Sequence, residues 1–425
     1  MATVVPFRGI GYNRKLAGRA ENVAAPPSES LTEAEIKEYI EKNEYNIINI
    51  TMHFDKRFAG SDVNSAKNVM KAWLEKGVFT QRDRAAFYIY EQLFSEGLSM
   101  RCVRSVIGRV KVEDYGEDAI FPHEWTTTSA SEELLDFWNG TGVNPCPVWS
   151  FYSDEGGRCE SIVALECEQS SPVCEFTDES GVMHKLWAAE SDGFSQSFAA
   201  ALKDKPLFIA EGHHRYETAL KYRDLCHAGG SSRGDYIMMA LTPMEHTSLG
   251  VLPIHRLINY ADFDENIFIG NLTEKFSVSK IYLTDDDYSK TMLEKLEKEQ
   301  GENVFALYAG ADYYYFLKRR KELPRSGEIG GRSESYRALD IAVLNEFIIK
   351  DCLCGGDEAA AQVTYTRFAQ KAVETVKAKK CSFAVLLNPT LLSELRAVSL
   401  SGDRLPKFSA YFRPKIITGL VLDKM

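Results

Sequence analysis

The sequence predicts a protein of mixed α and β structure in two domains. Three observations lead there. A chain of 425 residues exceeds what one ordinary hydrophobic core organises. Hydrophobic residues make up 44% and charged residues 26%, a globular balance. Short β-rich apolar runs are interleaved with amphipathic helical stretches along the whole length.

The elements follow in order. Ala24-Ala25-Pro26-Pro27-Ser28-Glu29-Ser30 is an extended turn fixed by two prolines. Thr32 and Glu35 form a capping-box pattern ahead of a helix with Ile36, Tyr39 and Ile40 on one face. Residues 45–51 read as a strand, and Ala66 to Leu74 as a second helix ended by Gly77. Residues 85–94 and 102–112 read as an antiparallel pair turned at Gly97. A loop at 114–131 and a short helix at 132–138 come next. Strands are expected at 147–152, 173–176, 182–188, 207–210, 235–241 and 250–253, and helices at 194–202 and 214–226, the latter closed by Gly229-Gly230. Beyond residue 258 helix and strand alternate: helices at 285–299, 339–349 and 390–398, a segment at 367–379, strands at 304–307, 313–317 and 382–387, and an exposed loop at 323–335. The expected division is 1–258 and 259–425, the second domain α/β.

Composition excludes several functions. The net charge of −11 argues against non-specific nucleic-acid binding, which needs a basic face. The apolar runs are too short to span a bilayer and the basic start lacks a signal-peptide core, so a cytoplasmic protein is expected. Nine scattered cysteines without a CxxC pair fit reduced thiols rather than a zinc or redox motif.

The chemistry concentrates at Pro206-Leu207-Phe208-Ile209-Ala210-Glu211-Gly212-His213-His214-Arg215-Tyr216-Glu217. A buried-type strand runs into a glycine turn, then into a helix whose first turn carries His213, His214 and Arg215. Cations are disfavoured at a helix N-terminus unless an anion accompanies them, so Gly212, His213, His214 and Arg215 are expected to cradle phosphate. The alternative is a surface helix start with a satisfied histidine pair. A shared metal ion is disfavoured, since adjacent helical residues diverge by about 100°. His123 and Glu124, beside Thr126, Thr127 and Thr128, either orient a substrate or solvate a loop. Arg256, after His255, is a candidate for the same pocket. Asp285-Asp286-Asp287 after Thr284 reads as charge at a helix start, Lys318-Arg319-Arg320-Lys321 as a solvated strand end, and Tyr313-Tyr314-Tyr315-Phe316 as strand propensity rather than a base-stacking platform.

The stretch Ala210 to Leu220 resembles the signature of a prokaryotic family of unassigned function. Blocks agree in order: Pro6-Phe7-Arg8-Gly9 with Tyr12-Asn13, Pro26-Pro27, Tyr88 to Phe94, Pro122-His123-Glu124, His184 to Trp187, Leu252-Pro253 with His255-Arg256, Leu339-Asp340, Leu387-Asn388-Pro389, and Tyr411-Phe412 with Pro414-Lys415. The Gly-x-His-x-Arg core also resembles the phosphate motif of the ParB and sulfiredoxin superfamily, one branch of which phosphorylates free serine. That resemblance implies a ParB/sulfiredoxin-like mixed core with large insertions in the first domain. It implies ATP or ADP as cofactor with Mg²⁺, Glu29 as the base, Glu211 as acidic partner and metal ligand, and His213 beside them in catalysis. A small hydroxyl compound, free L-serine first, is the implied acceptor; phosphoserine hydrolysis and nucleotide-gated regulation without turnover stay open. Expected partners are a small-molecule substrate and, as an option, a second copy of the chain, with no nucleic acid and no membrane. The sequence departs from the family at Ser28-Glu29, Glu211, Trp125, Ile254 and Phe408-Ser409-Ala410. The first two changes keep a carboxylate with one more methylene; the others remove two hydroxyls and two cations, which favours binding over catalysis.

Overall fold

The computed structural model describes residues 2–54, 58, 60–96, 99–116, 119–126, 128–246, 248–284, 287–320, 329–357 and 360–425, without the side chains of 128–131. The expected Gly97 turn, Thr127, Asp285-Asp286, Lys321 and part of the 323–335 loop lie outside these residues. The chain forms two compact units, one of Met1–Leu249 with Pro414–Met425 and one of Gly250–Arg413. The strand His255–Asn259, which straddles the expected division at 258, lies wholly in the second unit, while the last twelve residues belong to the first.

A nine-stranded mixed sheet organises the first unit. Its order is Ile120–Phe121, Leu207–Glu211, Val148–Tyr152, Tyr236–Pro243, Ser99–Lys111, Phe87–Glu96, Met183–Ala189 and Cys174–Thr177, with Val4–Val5 paired off the path to Ser99–Lys111. Leu207–Glu211 runs parallel to Ile120–Phe121 and antiparallel to Val148–Tyr152. Both neighbours therefore bring chain to the end of the sheet where Gly212 stands. Alternate residues such as Ile89, Val106, Ile209, Ile237 and Met239 are buried in one core with residues of the covering helices, including Met70, Phe137, Trp138, Phe198 and Tyr216. Trp138 meets Tyr222 edge-on at 6.1 Å, which locks Thr128–Thr141 against His213–Ala228.

The six strands of the second unit are ordered Phe276–Tyr282, Tyr313–Arg319, Val304–Tyr308, Phe383–Leu387, His255–Asn259 and Gln362–Thr366. Every pairing is antiparallel, so the expected α/β domain is an α+β one. Alternation of helix and strand does not itself fix strand direction. Helices Tyr288–Glu297 and Ala369–Lys377 cover the sheet through Met292, Leu296, Ala372, Val373 and Val376.

Several local expectations need correction. Residues 45–51 are not a strand: Ile48–Thr51 is helical, because the Asn46 carboxamide accepts the Ile48 N–H at 3.0 Å and turns the chain. Ile47, Ile48 and Ile50 are all fully buried, so β-branching there reflects core packing. The 114–131 loop contains the strand Ile120–Phe121 and the start of the helix Thr128–Thr141. Asp287, not Thr284, caps Tyr288–Glu297, accepting the Lys290 N–H. The helix expected at 339–349 is α-helical over Asp340–Val343 and continues as a π-helix over Leu344–Leu353. Arg319 is buried over Phe347 and Lys318 is paired with Glu299 at 2.9 Å, so of the described residues in that stretch Arg320 is the exposed one.

Candidate functional site

Glu211 ends its strand at a register shift, and Gly212 follows with φ 89° and ψ 29°. A side chain at Gly212 would bring Cβ to 3.1 Å from Arg215 Nη1 and 3.4 Å from Val148 Cα. The left-handed turn and this close approach both call for glycine. The helix His213–Ala228 then begins with no side-chain cap. Its first turn is anchored by Tyr216, whose hydroxyl donates to the Glu113 carbonyl at 2.7 Å and accepts the Glu113 N–H at 3.0 Å.

The candidate residues of the first unit converge here. Arg215 donates through Nη2 to Glu29 Oε1 at 2.6 Å and through Nη1 to the Pro147 carbonyl. Glu29 sits in a short 3₁₀ turn, Ser28–Ser30, and is more than half exposed, whereas the arginine side chain is largely covered. Burial opposes the Arg215 charge, but Glu29, Cys146 and Glu211 together hold its pKa above the ordinary value. Glu211 pairs with Lys415. Burial pushes the Glu211 carboxyl upward, Lys415 and Arg215 pull it down, and Glu29 raises it further. Burial also raises Glu124, against the pull of His214 and Lys415. One cluster therefore holds three carboxylates and two permanent cations, with His214 beside them. Among the described residues, Nδ1 of His214 is a buried polar atom without a hydrogen-bond partner.

The two other histidines are inward. The Nδ1–H of His123 donates to the Ile209 carbonyl at 2.6 Å, and its backbone N–H donates to His213 Nε2 at 3.2 Å. The rings meet edge-on at 4.6 Å and both residues are buried. His213 Nε2 thus accepts a hydrogen bond here instead of offering a proton to an anion. Thr126 donates to Glu217, four residues into the same helix from His213. Arg256 lies in the second unit, fully buried, donating to the carbonyls of Ile254 and Phe408 and stacked on Tyr365 at 4.9 Å. Burial lowers its pKa to about 10 and that of His255 to about 4.

Lys415 and Glu217 were not among the sequence candidates. Both stand in blocks that carried the resemblance, but nothing local to either shows its partner. Lys415 reaches the site because its segment is held on both sides. Gln92 donates to the Lys415 carbonyl at 3.0 Å, and Thr418 pairs with Ala25, four residues before Glu29. Among the described residues no group of three or more His, Cys, Asp or Glu side chains could hold a metal ion unaided, and no helix is long and apolar enough to cross a membrane.

No curated protein sequence matches the chain. Among solved structures it is similar to a mutant free serine kinase in complex with ADP, at 14% identity over 72% of this chain and 86% of that chain, TM-score 0.34. A free serine kinase in complex with AMP gives 14%, 72%, 86% and 0.33. A conserved hypothetical protein from Pyrococcus furiosus gives 13%, 72%, 90% and 0.32. Superpositions this loose leave the chemistry of this chain to be argued from its own residues. The model of the DUF1015 family, described as a protein of unknown function, matches residues 4–342, and the chain belongs to that family.

Proposed function

We propose that the first unit is a ParB/sulfiredoxin-like, nucleotide-dependent phosphotransferase acting on a small hydroxyl compound, with free L-serine the first acceptor to test. One observation carries the proposal: an uncapped helix start after a left-handed glycine, where Arg215 and Lys415 stand beside Glu29 and Glu211. Phosphoryl transfer asks a protein mainly for positioning and charge neutralisation. The helix N–H groups with His214, Arg215 and Lys415 would meet phosphate oxygens, once these displace the carboxylates from the two cations. Glu29, released from Arg215, would take the hydroxyl proton. Magnesium carried on nucleotide phosphates needs only one or two protein carboxylates, and Glu211 offers one in exchange for Lys415. His213 and His123 would position the helix start.

A second reading has its own observation. Glu29 Oε1 is engaged by Arg215 at 2.6 Å, and a carboxylate oxygen occupied by that contact is not turned to an acceptor hydroxyl. Nucleotide binding that merely exchanges these pairs would make a regulatory protein without turnover. ATP or ADP consumption against a panel of amino acids and hydroxy acids separates the two. Serine-dependent turnover that falls at least ~100-fold in Glu29→Gln, with nucleotide affinity kept, supports transfer. Tight nucleotide binding with no turnover on any acceptor overturns it in favour of regulation.

A further inference from the structure

The second unit carries an arrangement that the proposed function leaves unused. Phe408 has φ 58°, and the other non-glycine residues with positive φ among those described are Asn303 and Lys379. A bulky side chain in that region is strained, and such strain persists only where the surroundings impose it. Arg256 is one of the groups that hold the loop here, with Thr390, which donates to the Ser409 carbonyl. The buried Arg256 guanidinium donates to the Phe408 carbonyl at 3.0 Å, and among the described residues it has no carboxylate partner. A desolvated cation and a strained backbone are both unfavourable, yet together they display an aromatic face. The Phe408 ring packs on Tyr365 at 4.3 Å, Tyr365 lies over Arg256, and the two rings remain 49% and 44% exposed.

The same two segments repeat the motif beside it. Arg367 lies 4.2 Å from the Tyr411 ring centre and 5.2 Å from that of Phe368, and Phe368 is 57% exposed. Lys407 and Arg413 are exposed on those segments too. On a chain of net charge −11, three exposed aromatic rings interleaved with cations form a local exception. Packing within the unit does not require the rings to face solvent. Exposed rings offer stacking to a flat partner, and the arginines and lysine offer charge to an anion.

We propose that Tyr365, Phe368 and Phe408, with Arg367, form a stacking site on the second unit for a planar aromatic anion of the nucleotide class. A single small ligand is favoured over a nucleic-acid strand because the chain as a whole carries a net charge of −11. The site does not depend on the phosphate cradle of the first unit, and the test treats them separately. ADP is titrated calorimetrically into the full chain, into Arg215→Ala, and into Phe408→Gly, with inorganic pyrophosphate as the ring-free control. Glycine accepts φ 58° without strain, so Phe408→Gly removes the ring while keeping the loop. The expected result is ADP binding that survives Arg215→Ala, weakens by roughly tenfold or more when Phe408→Gly or Arg367→Gln is added to Arg215→Ala, and is not matched by pyrophosphate in Arg215→Ala. Loss of all ADP binding in Arg215→Ala overturns the stacking site and leaves the cradle standing. Unchanged ADP binding by Arg215→Ala/Phe408→Gly relative to Arg215→Ala also overturns it. Binding lost in Phe408→Gly but untouched in Arg215→Ala sinks the cradle and keeps the stacking site. A nucleotide strand that binds where ADP does not would replace the small ligand with a polymer.

Discussion

Replacing Lys415 by methionine tests the electrostatics of the candidate site most directly. Methionine keeps most of the apolar stem and removes the cation that restrains Glu211. The Glu211 and Lys415 side chains are 22% and 16% exposed, so the pair is neither a free surface contact nor fully desolvated. Breaking a buried pair costs about 3–5 kcal/mol and a surface pair about 0–1, which puts this loss near 2 kcal/mol at pH 8. For a unit of this size that is a fall in Tm of ~4–8 °C. The pH dependence carries the sharper information. The folded-state pKa of Glu211 is already raised by burial, and losing Lys415 raises it further. A carboxyl whose folded pKa lies above its unfolded value costs stability as pH rises from the unfolded value through the folded one. The gap between Lys415→Met and the parent should therefore be smallest at the acidic end and widen as pH rises. Thermal melts by circular dichroism at pH 5, 6, 7 and 8 measure it, with Lys415→Arg expected to restore most of the stability. A drop of equal size at every pH would refute the account, since it would mean lost packing, not a stranded carboxylate.

Two further outcomes follow from backbone and burial. Gly212→Ala forces a side chain into φ 89° and to 3.1 Å from the Arg215 guanidinium, so it should cost about 1–2 kcal/mol and weaken nucleotide binding by displacing Arg215; unaltered melting and affinity would show that the turn is not constrained. Asp340 has its pKa raised to about 7, chiefly by burial, with Asn303 pulling it down and Glu394 pushing it up. Its ionisation penalises the second unit as pH rises from about 4 to 7, so Asp340→Asn should stabilise by about 2 kcal/mol or more at pH 8, by less at pH 5, and change little near pH 3, read as the difference in unfolding free energy. A variant that is less stable at pH 8 would contradict that cost of burying the charge.

The parts of this fold that could be read from sequence are those set within a few residues. Thr32 and Glu35 make the expected reciprocal cap, and the glycine turn at 212 falls where a buried strand meets a cationic helix start. Residues 45–51 misled because a short β-branched run looks the same whether it is a strand or a buried helical turn, and the side chain of Asn46 decides between them. The direction of the strands in the second unit was equally hidden, because their pairing joins distant segments such as His255–Asn259 and Phe383–Leu387. Glu29 became a candidate only through resemblance, since its partner Arg215 lies 186 positions away, and Lys415 stayed out of view because Glu211 lies 204 positions before it.

That distribution bears on function as well as on legibility. The glycine turn of the first unit and its Glu211 and Arg215 are local, but Glu29, Glu124 and Lys415 join them from three remote segments, and Arg215 and Lys415 each already have a carboxylate. An anion that merely displaced Glu29 and Glu211 would leave two carboxylates facing it, one of them largely buried, and the repulsion would cancel much of what Arg215 and Lys415 offer. A ligand that also returns positive charge to the displaced groups avoids this loss. A hydroxyl proton can go to Glu29, and a metal ion carried on phosphates can go to Glu211. On the proposed function, such an arrangement would discriminate against bare phosphate or sulfate. It would favour a metal-bound polyphosphate accompanied by an acceptor hydroxyl, the set of groups that phosphoryl transfer brings together.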